Sequence, residues 1–108
     1  MATDKQNREE LVRFLDRKAF NPILEKSEDD FADETKKKKF KDVKKSTKSE
    51  QNRFHNNYNS AKEVKENYLS DLNSSTAKKK NRELEDLGLP TLPQFKNDFL
   101  KMCDRMGL

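Results

Sequence analysis

Apolar residues are scarce in this chain, and wherever they occur they recur every three or four residues. One Ile, eleven Leu, three Val and seven Phe are the only strong core-forming residues among 108. The alternation of apolar and polar residues that marks a half-buried strand is absent, and β-branched residues are few. This spacing predicts an all-α protein: a small bundle of four to five helices, including one long, highly charged helix, around a thin core.

The first helix is predicted over residues 4–19, with Thr3 as its N-cap. Asn21 and Pro22 are expected to end it, because proline disfavours helical geometry in the preceding residue and has no N–H to donate. The same pair can begin a further short helical turn through Leu24, with proline at the first helical position.

The stretch from Phe31 to Tyr58 contains no glycine or proline. Ser27, followed by acidic residues, is typical of a helix start. We therefore predict a long charged helix over about 28–58. Its apolar residues form a narrow seam with few partners elsewhere in the chain, so we expect a second copy or another protein to complete it. The seam residues are Phe40, Val43, Phe54 and Tyr58.

Residues 60–107 are predicted to form a helical core, within a single domain that spans residues 1–108. Ser60 and Glu63 have the spacing of a capping box, and Gly88 and Gly107 are expected to end helices in the left-handed conformation. The last helix has the fullest apolar seam, with Phe99 at its middle. The seam residues are Leu92, Phe95, Phe99, Met102 and Met106.

Charge is segregated along the chain. Residues 25–34 hold six acidic side chains and one lysine, whereas residues 36–48 hold eight lysines and one aspartate. Acidic residues near the N-terminus of a helix and basic residues after them stabilise the helix through its macrodipole and through ion pairs along its surface. A helix face that is exposed to solvent therefore explains the pattern without a ligand. The same lysines can also neutralise phosphates, over a broad field because a helix spreads Lys36–Lys39 round its sides. The acidic run is expected to compete for them.

A second basic cluster opens the helix predicted from Thr76. A three-residue turn before it gives the connectivity of a helix-turn-helix, although two helices with a short turn occur in any bundle. Both clusters are candidate polyanion-binding sites. Their residues are Lys36, Lys37, Lys38, Lys39, Lys41, Lys44, Lys45, Lys48, Lys78, Lys79, Lys80 and Arg82.

The sequence contains few residues that are suited to catalysis. His55 is the only histidine, so a paired-histidine metal site or a histidine-centred triad lacks partners. Cys103 lies near a helix C-terminus without cationic neighbours, which favours a buried structural thiol. With only two glycines, a glycine-rich phosphate loop is excluded. We expect no enzyme activity, no cofactor, no metal and no small-molecule substrate.

These patterns predict a small, basic, non-enzymatic binding protein whose partner is nucleic acid or another polyanion. The alternative is a protein-interaction or structural module that self-associates, or binds another protein, through the seam at Phe40 and Val43. No apolar run approaches the roughly 18 residues of a membrane span. The first residues lack the apolar stretch of a signal peptide, and the single cysteine fits a reducing compartment, so we expect a cytoplasmic location.

Overall fold

A computed structural model describes residues 2–108, and every regular element in that range is helical. The predicted all-α class with one long charged helix is confirmed. Single 3₁₀ turns lie at Glu28–Asp30 and Leu92–Phe95. The helices are α1 (Asp4–Leu15), α2 (Asn21–Leu24), α3 (Glu34–Asn56), α4 (Ala61–Asn73), α5 (Ser75–Asp86) and α6 (Lys96–Arg105).

Asn21 and Pro22 do not end the first helix, contrary to the prediction. A π-helical turn, Asp16–Phe20, joins α1 directly to α2, so the helical segment continues to Leu24. The backbone N–H of Asn21 donates to the carbonyl of Asp16, five residues back. In a regular α-helix, the ring of Pro22 would clash with the carbonyl four residues earlier. The wider π turn avoids this clash.

The long helix begins at Glu34 rather than near residue 28. Ser27 caps only a 3₁₀ turn, where the carboxylate of Asp30 accepts the Ser27 backbone N–H at 2.8 Å. Asp33 then forms a second cap, with its side chain 2.7 Å from the backbone N of Thr35. Because an N-cap residue has extended backbone, this second cap separates the 3₁₀ turn from α3.

The main core lies where α1, α4 and α6 meet. Tyr68 of α4 and Phe99 of α6 are fully buried, their ring centroids are 4.2 Å apart, and the Tyr68 hydroxyl donates to the carbonyl of Leu92. α3 enters this core only near its C-terminus. The buried residues are Leu11, Val12, Phe14, Leu15, Ala19, Phe20, Phe54, Ala61, Val64, Tyr68, Leu92, Phe99 and Cys103.

The chain itself covers the seam that was expected to need a partner. Phe40 and Val43, each only 1% exposed, pack in a second apolar cluster with Ile23, Leu84, Leu87 and Leu89. Phe54 is fully buried in the main core, and the half-buried Tyr58 packs against it. The expectation of an uncovered seam is therefore wrong, because α2 and α5 both lie against α3.

The two glycine terminators behave as predicted. Gly88 and Gly107 have φ values of +72° and +78°, in the left-handed region that favours glycine. The N–H of Leu89 donates to the carbonyl of Leu84 at 2.9 Å, and Leu108 makes the matching bond to Cys103 at 2.9 Å. These are Schellman motifs, which satisfy the last carbonyls of each helix.

Replacing Phe99 by alanine is expected to remove about 3–5 kcal/mol from the free energy of unfolding, because the ring is fully buried against Phe14 and Tyr68. The exposed Lys36→Ala variant is expected to change it by less than about 0.5 kcal/mol. Urea unfolding followed by circular dichroism measures both. Similar small losses in the two variants would show that the core lies elsewhere.

Thr47 is the one fully buried polar side chain among residues 2–108. Its hydroxyl has no hydrogen-bond partner within the described part of the chain. A buried polar group without a partner destabilises a fold, typically by about 1–3 kcal/mol.

Thr47→Val keeps the shape of the side chain and removes the hydroxyl, so we expect the free energy of unfolding to rise by about 1 kcal/mol. Thr76→Val, at an exposed position of α5, is the control and is expected to change it little. Thermal and urea unfolding measure both. A Thr47→Val variant that is less stable than the original protein would show that the hydroxyl forms a hydrogen bond in the folded state.

Candidate functional site

The fold divides the predicted polyanion-binding residues into two groups. Five of them use their ammonium group within the chain. Lys37, Lys39, Lys41 and Lys80 form ion pairs with Glu34, Asp86, Glu28 and Glu50, and Lys44 donates to the carbonyl of Lys26 at 2.9 Å. The other seven are exposed and form no ion pair within residues 2–108: Lys36, Lys38, Lys45, Lys48, Lys78, Lys79 and Arg82.

One face of α3 carries a row of exposed lysines. Lys38, Lys41, Lys45 and Lys48 follow one another at steps of three and four residues, which places them along one side of a helix. We call this row the lysine face. It is about 15 Å long, at 1.5 Å of rise per residue. It lies roughly opposite the buried side of α3, so the helix holds it toward solvent.

Acidic side chains occupy the N-terminal end of the lysine face. The carboxylate of Glu28 lies 3.0 Å from Lys41 Nζ, and its hydrogen bond and charge raise the pKa of that lysine. Glu28 and Glu34 also line a shallow groove with Lys38. The expected competition by the acidic run is therefore present here. Lys45 and Lys48, at the C-terminal end of the lysine face, are exposed and form no ion pair within residues 2–108.

The second basic cluster lies on a different helix, α5. α5 packs on α3 through the buried Leu84 and through Lys80, whose Nζ lies 2.8 Å from Glu50. Lys78, Lys79 and Arg82 project from the opposite side of α5. The two clusters thus lie on the exposed sides of two different helices. Lys80 itself is only 15% exposed and belongs to the packing between α3 and α5.

The predicted helix-turn-helix connectivity is wrong. Ser74 alone separates α4 from α5, and it ends the first helix and caps the second, with its hydroxyl accepting the Ala77 N–H at 3.0 Å. A helix-turn-helix uses a turn of about three to four residues. The serine cap shortens the turn, because α5 begins at Ser75 rather than at Thr76.

Two ion pairs between helices were not predicted from the sequence. Glu50 pairs with Lys80 of α5, and Arg53 pairs with Asp71 of α4. Burial raises the pKa of Asp71, an effect that the Arg53 charge opposes. The partners are far apart in the chain and no local motif joins them, so only the packing of the helices reveals them.

His55 and Cys103 take structural positions. His55 is exposed near the end of α3, and its Nε2 lies 2.7 Å from the carboxylate of Asp16. Gln51 donates to the same carboxylate at 3.0 Å, so these contacts join α3 to the π turn. Cys103 is fully buried as predicted, and burial raises the pKa of its thiol. A buried neutral thiol is a poor nucleophile.

Residues 2–108 contain neither a cluster of metal ligands nor a membrane span. Within this range, no three His, Cys, Asp or Glu side chains are grouped so that they can hold a metal ion. None of the helices there has both the length and the apolar character that crossing a membrane requires.

Comparison of this chain with known protein families, with curated proteins and with solved structures gives no match in any of the three. A helical bundle supports many unrelated functions, so the fold class by itself does not indicate one. The charges, burial and contacts of this chain are therefore the only indications of its function.

Proposed function

We propose that this protein is a non-enzymatic binding protein that holds the phosphate backbone of nucleic acid on the lysine face of α3. One observation carries the proposal: four lysines share one exposed helix face, and three of them form no ion pair in the described part of the chain. Those three are Lys38, Lys45 and Lys48. A row of exposed, unpaired cations of this kind can neutralise successive phosphates of an extended polyanion.

The spacing of the lysine face suits a phosphate backbone. Neighbouring lysines are separated by about 5 Å along the axis of α3, and successive phosphates of one strand advance by about 3.4 Å along the axis of duplex DNA, so flexible lysine side chains can reach several phosphates of one strand. Each lysine is a flexible point charge without a fixed fork of donors, so it contacts phosphates rather than reading base edges. Binding is therefore expected to be nearly independent of sequence, with a Kd of roughly 10⁻⁴ to 10⁻⁶ M near physiological salt.

The ion pair between Glu28 and Lys41 leads to a second expectation: removing the Glu28 charge should strengthen binding, whereas removing lysine charges should weaken it. Lys41 lies in the middle of the lysine face, but its ammonium group is paired with Glu28 at 3.0 Å. Phosphate binding at Lys41 must compete with that carboxylate. Removing the Glu28 charge therefore frees a lysine for phosphate and reduces repulsion of the polyanion.

The test is the salt dependence of binding to a 20-base-pair DNA duplex, followed by fluorescence anisotropy. Lys45→Gln combined with Lys48→Gln is expected to weaken binding and to flatten the slope of log affinity against log salt, by about one unit for each phosphate that the variant no longer neutralises. Glu28→Gln is expected to strengthen binding. Lys78→Gln with Lys79→Gln removes the same charge from α5 and is the matched control.

Equal effects of the two double variants would mean that net charge, rather than the lysine face, determines binding. Absence of binding at low salt would contradict the proposal altogether. That result would favour the protein-interaction alternative, which needs a surface other than the seam at Phe40 and Val43, because the chain buries both residues.

A further inference from the structure

Residues 26–32 lie along the N-terminal half of α3 and border the lysine face. We call this segment the acidic strap, because three acidic residues follow one another in it at positions 28–30. Glu28 and Asp29 of the strap line one shallow groove with Lys38 and Lys41 of the lysine face. The strap therefore places carboxylates beside two of the four lysines to which the proposed function assigns phosphate binding.

The polar contacts between the acidic strap and α3 lie at the surface. Glu28 and Lys41, 3.0 Å apart, have side chains that are 43% and 66% exposed. Lys44 Nζ donates to the carbonyl of Lys26 at 2.9 Å, also at an exposed position. Ion pairs this exposed contribute little to stability and are weakened by salt, so a competing polyanion can replace them.

Phe31 supplies the apolar contact between the strap and α3. It is the only large apolar side chain in the strap, and its ring centroid lies 5.0 Å from that of Phe40. Phe40 belongs to the second apolar cluster, and the half-buried Phe31 packs against that cluster from outside. The strap is thus fastened at its C-terminal end by one aromatic pair.

The internal structure of the strap does not depend on α3. The backbone N–H of Ser27 donates to the Asp30 carboxylate at 2.8 Å, and the Asp29 N–H donates to the Ser27 hydroxyl at 3.2 Å. α3 begins with a cap of its own, at Asp33. The strap can therefore move away from α3 without loss of its 3₁₀ turn or of the cap of the long helix.

We propose that the acidic strap regulates the lysine face: it occupies the N-terminal half of that face in the free protein and leaves it when nucleic acid binds. This inference rests on the proposed function. A phosphate backbone replaces the carboxylate of Glu28 at Lys41 and gains access to Lys38. The pairing of Phe31 with Phe40 determines how readily the strap leaves, and the closed strap lowers the apparent affinity for nucleic acid.

Phe31→Ala tests the fastening without any change of charge. The variant is expected to bind the 20-base-pair duplex about five-fold more tightly than the original protein at the same salt concentration, because the strap loses its aromatic contact. Phe95→Ala is the matched control. Phe95 is also a half-buried phenylalanine in a 3₁₀ turn, but it packs against the main core, so its removal is expected to leave the affinity unchanged. Circular dichroism verifies the fold of both variants.

A double-variant cycle separates the strap from simple repulsion of DNA. Glu28→Gln is expected to strengthen binding less in the Phe31→Ala background than in the original protein, because the strap has already been released there. An equal effect of Glu28→Gln in both backgrounds would overturn the proposal, as would an unchanged affinity in a folded Phe31→Ala variant.

Motion of the strap is measured directly in the original ¹⁵N-labelled protein. As the duplex is added, the heteronuclear NOE of the Ser27, Asp29 and Phe31 amides is expected to fall, which reports faster local motion, whereas that of Tyr68 in the main core stays constant. This measurement decides the matter if Phe31→Ala does not fold. DNA that binds without a change at these three amides would overturn the strap alone. Absence of DNA binding at low salt would overturn the proposed function together with the strap.

Discussion

The position of α3 depends on very few apolar contacts. Only four of its residues are buried, and one of these is the polar Thr47. Phe54 fixes the C-terminal end in the main core, where its ring lies 5.8 Å from that of Phe20, and Phe40 with Val43 fixes the N-terminal half in the second cluster. The guanidinium of Arg8 donates to the carbonyls of His55 and Tyr58, which further fixes the end of the helix. A long polar helix held in this way keeps its remaining sides free for charge.

The sequence was sufficient to predict those features of the fold that depend only on neighbouring residues. The glycine that ends α5 could be predicted because only the backbone at Gly88 decides that geometry. The start of α3 could not, because Ser27 and Asp33 are both good caps and the sequence does not show which one begins the helix. The π turn before Pro22 was missed for a related reason. A proline predicts a break, but it does not show that one extra residue in the turn can remove the conflict.

Contacts between distant segments account for the rest of what sequence reasoning missed. The seam at Phe40 was predicted to be uncovered because its partners, Leu84 in α5 and Leu87 at the C-terminal end of α5, are far from it in the chain. The same holds for the candidate site. Exposure could be expected for most of the lysines, but the pairing of Lys80 with Glu50 depends on how α5 lies against α3.

The π turn also determines which way the first helical segment faces. One additional residue in a turn rotates every later position by about 100° about the helix axis. Before the turn, the buried side at Leu11 and Leu15 belongs to the main core with α4 and α6. After it, Ile23 belongs to the second cluster with α3 and α5. At about 100° per residue, Ile23 would lie about 80° from Leu15 in a regular α-helix, and the extra residue of the π turn brings it to within about 20° of Leu15. One face of a continuous helical segment therefore contacts the main core through Leu15 and the second cluster through Ile23, so a chain with few apolar residues joins its two clusters through a single helical segment.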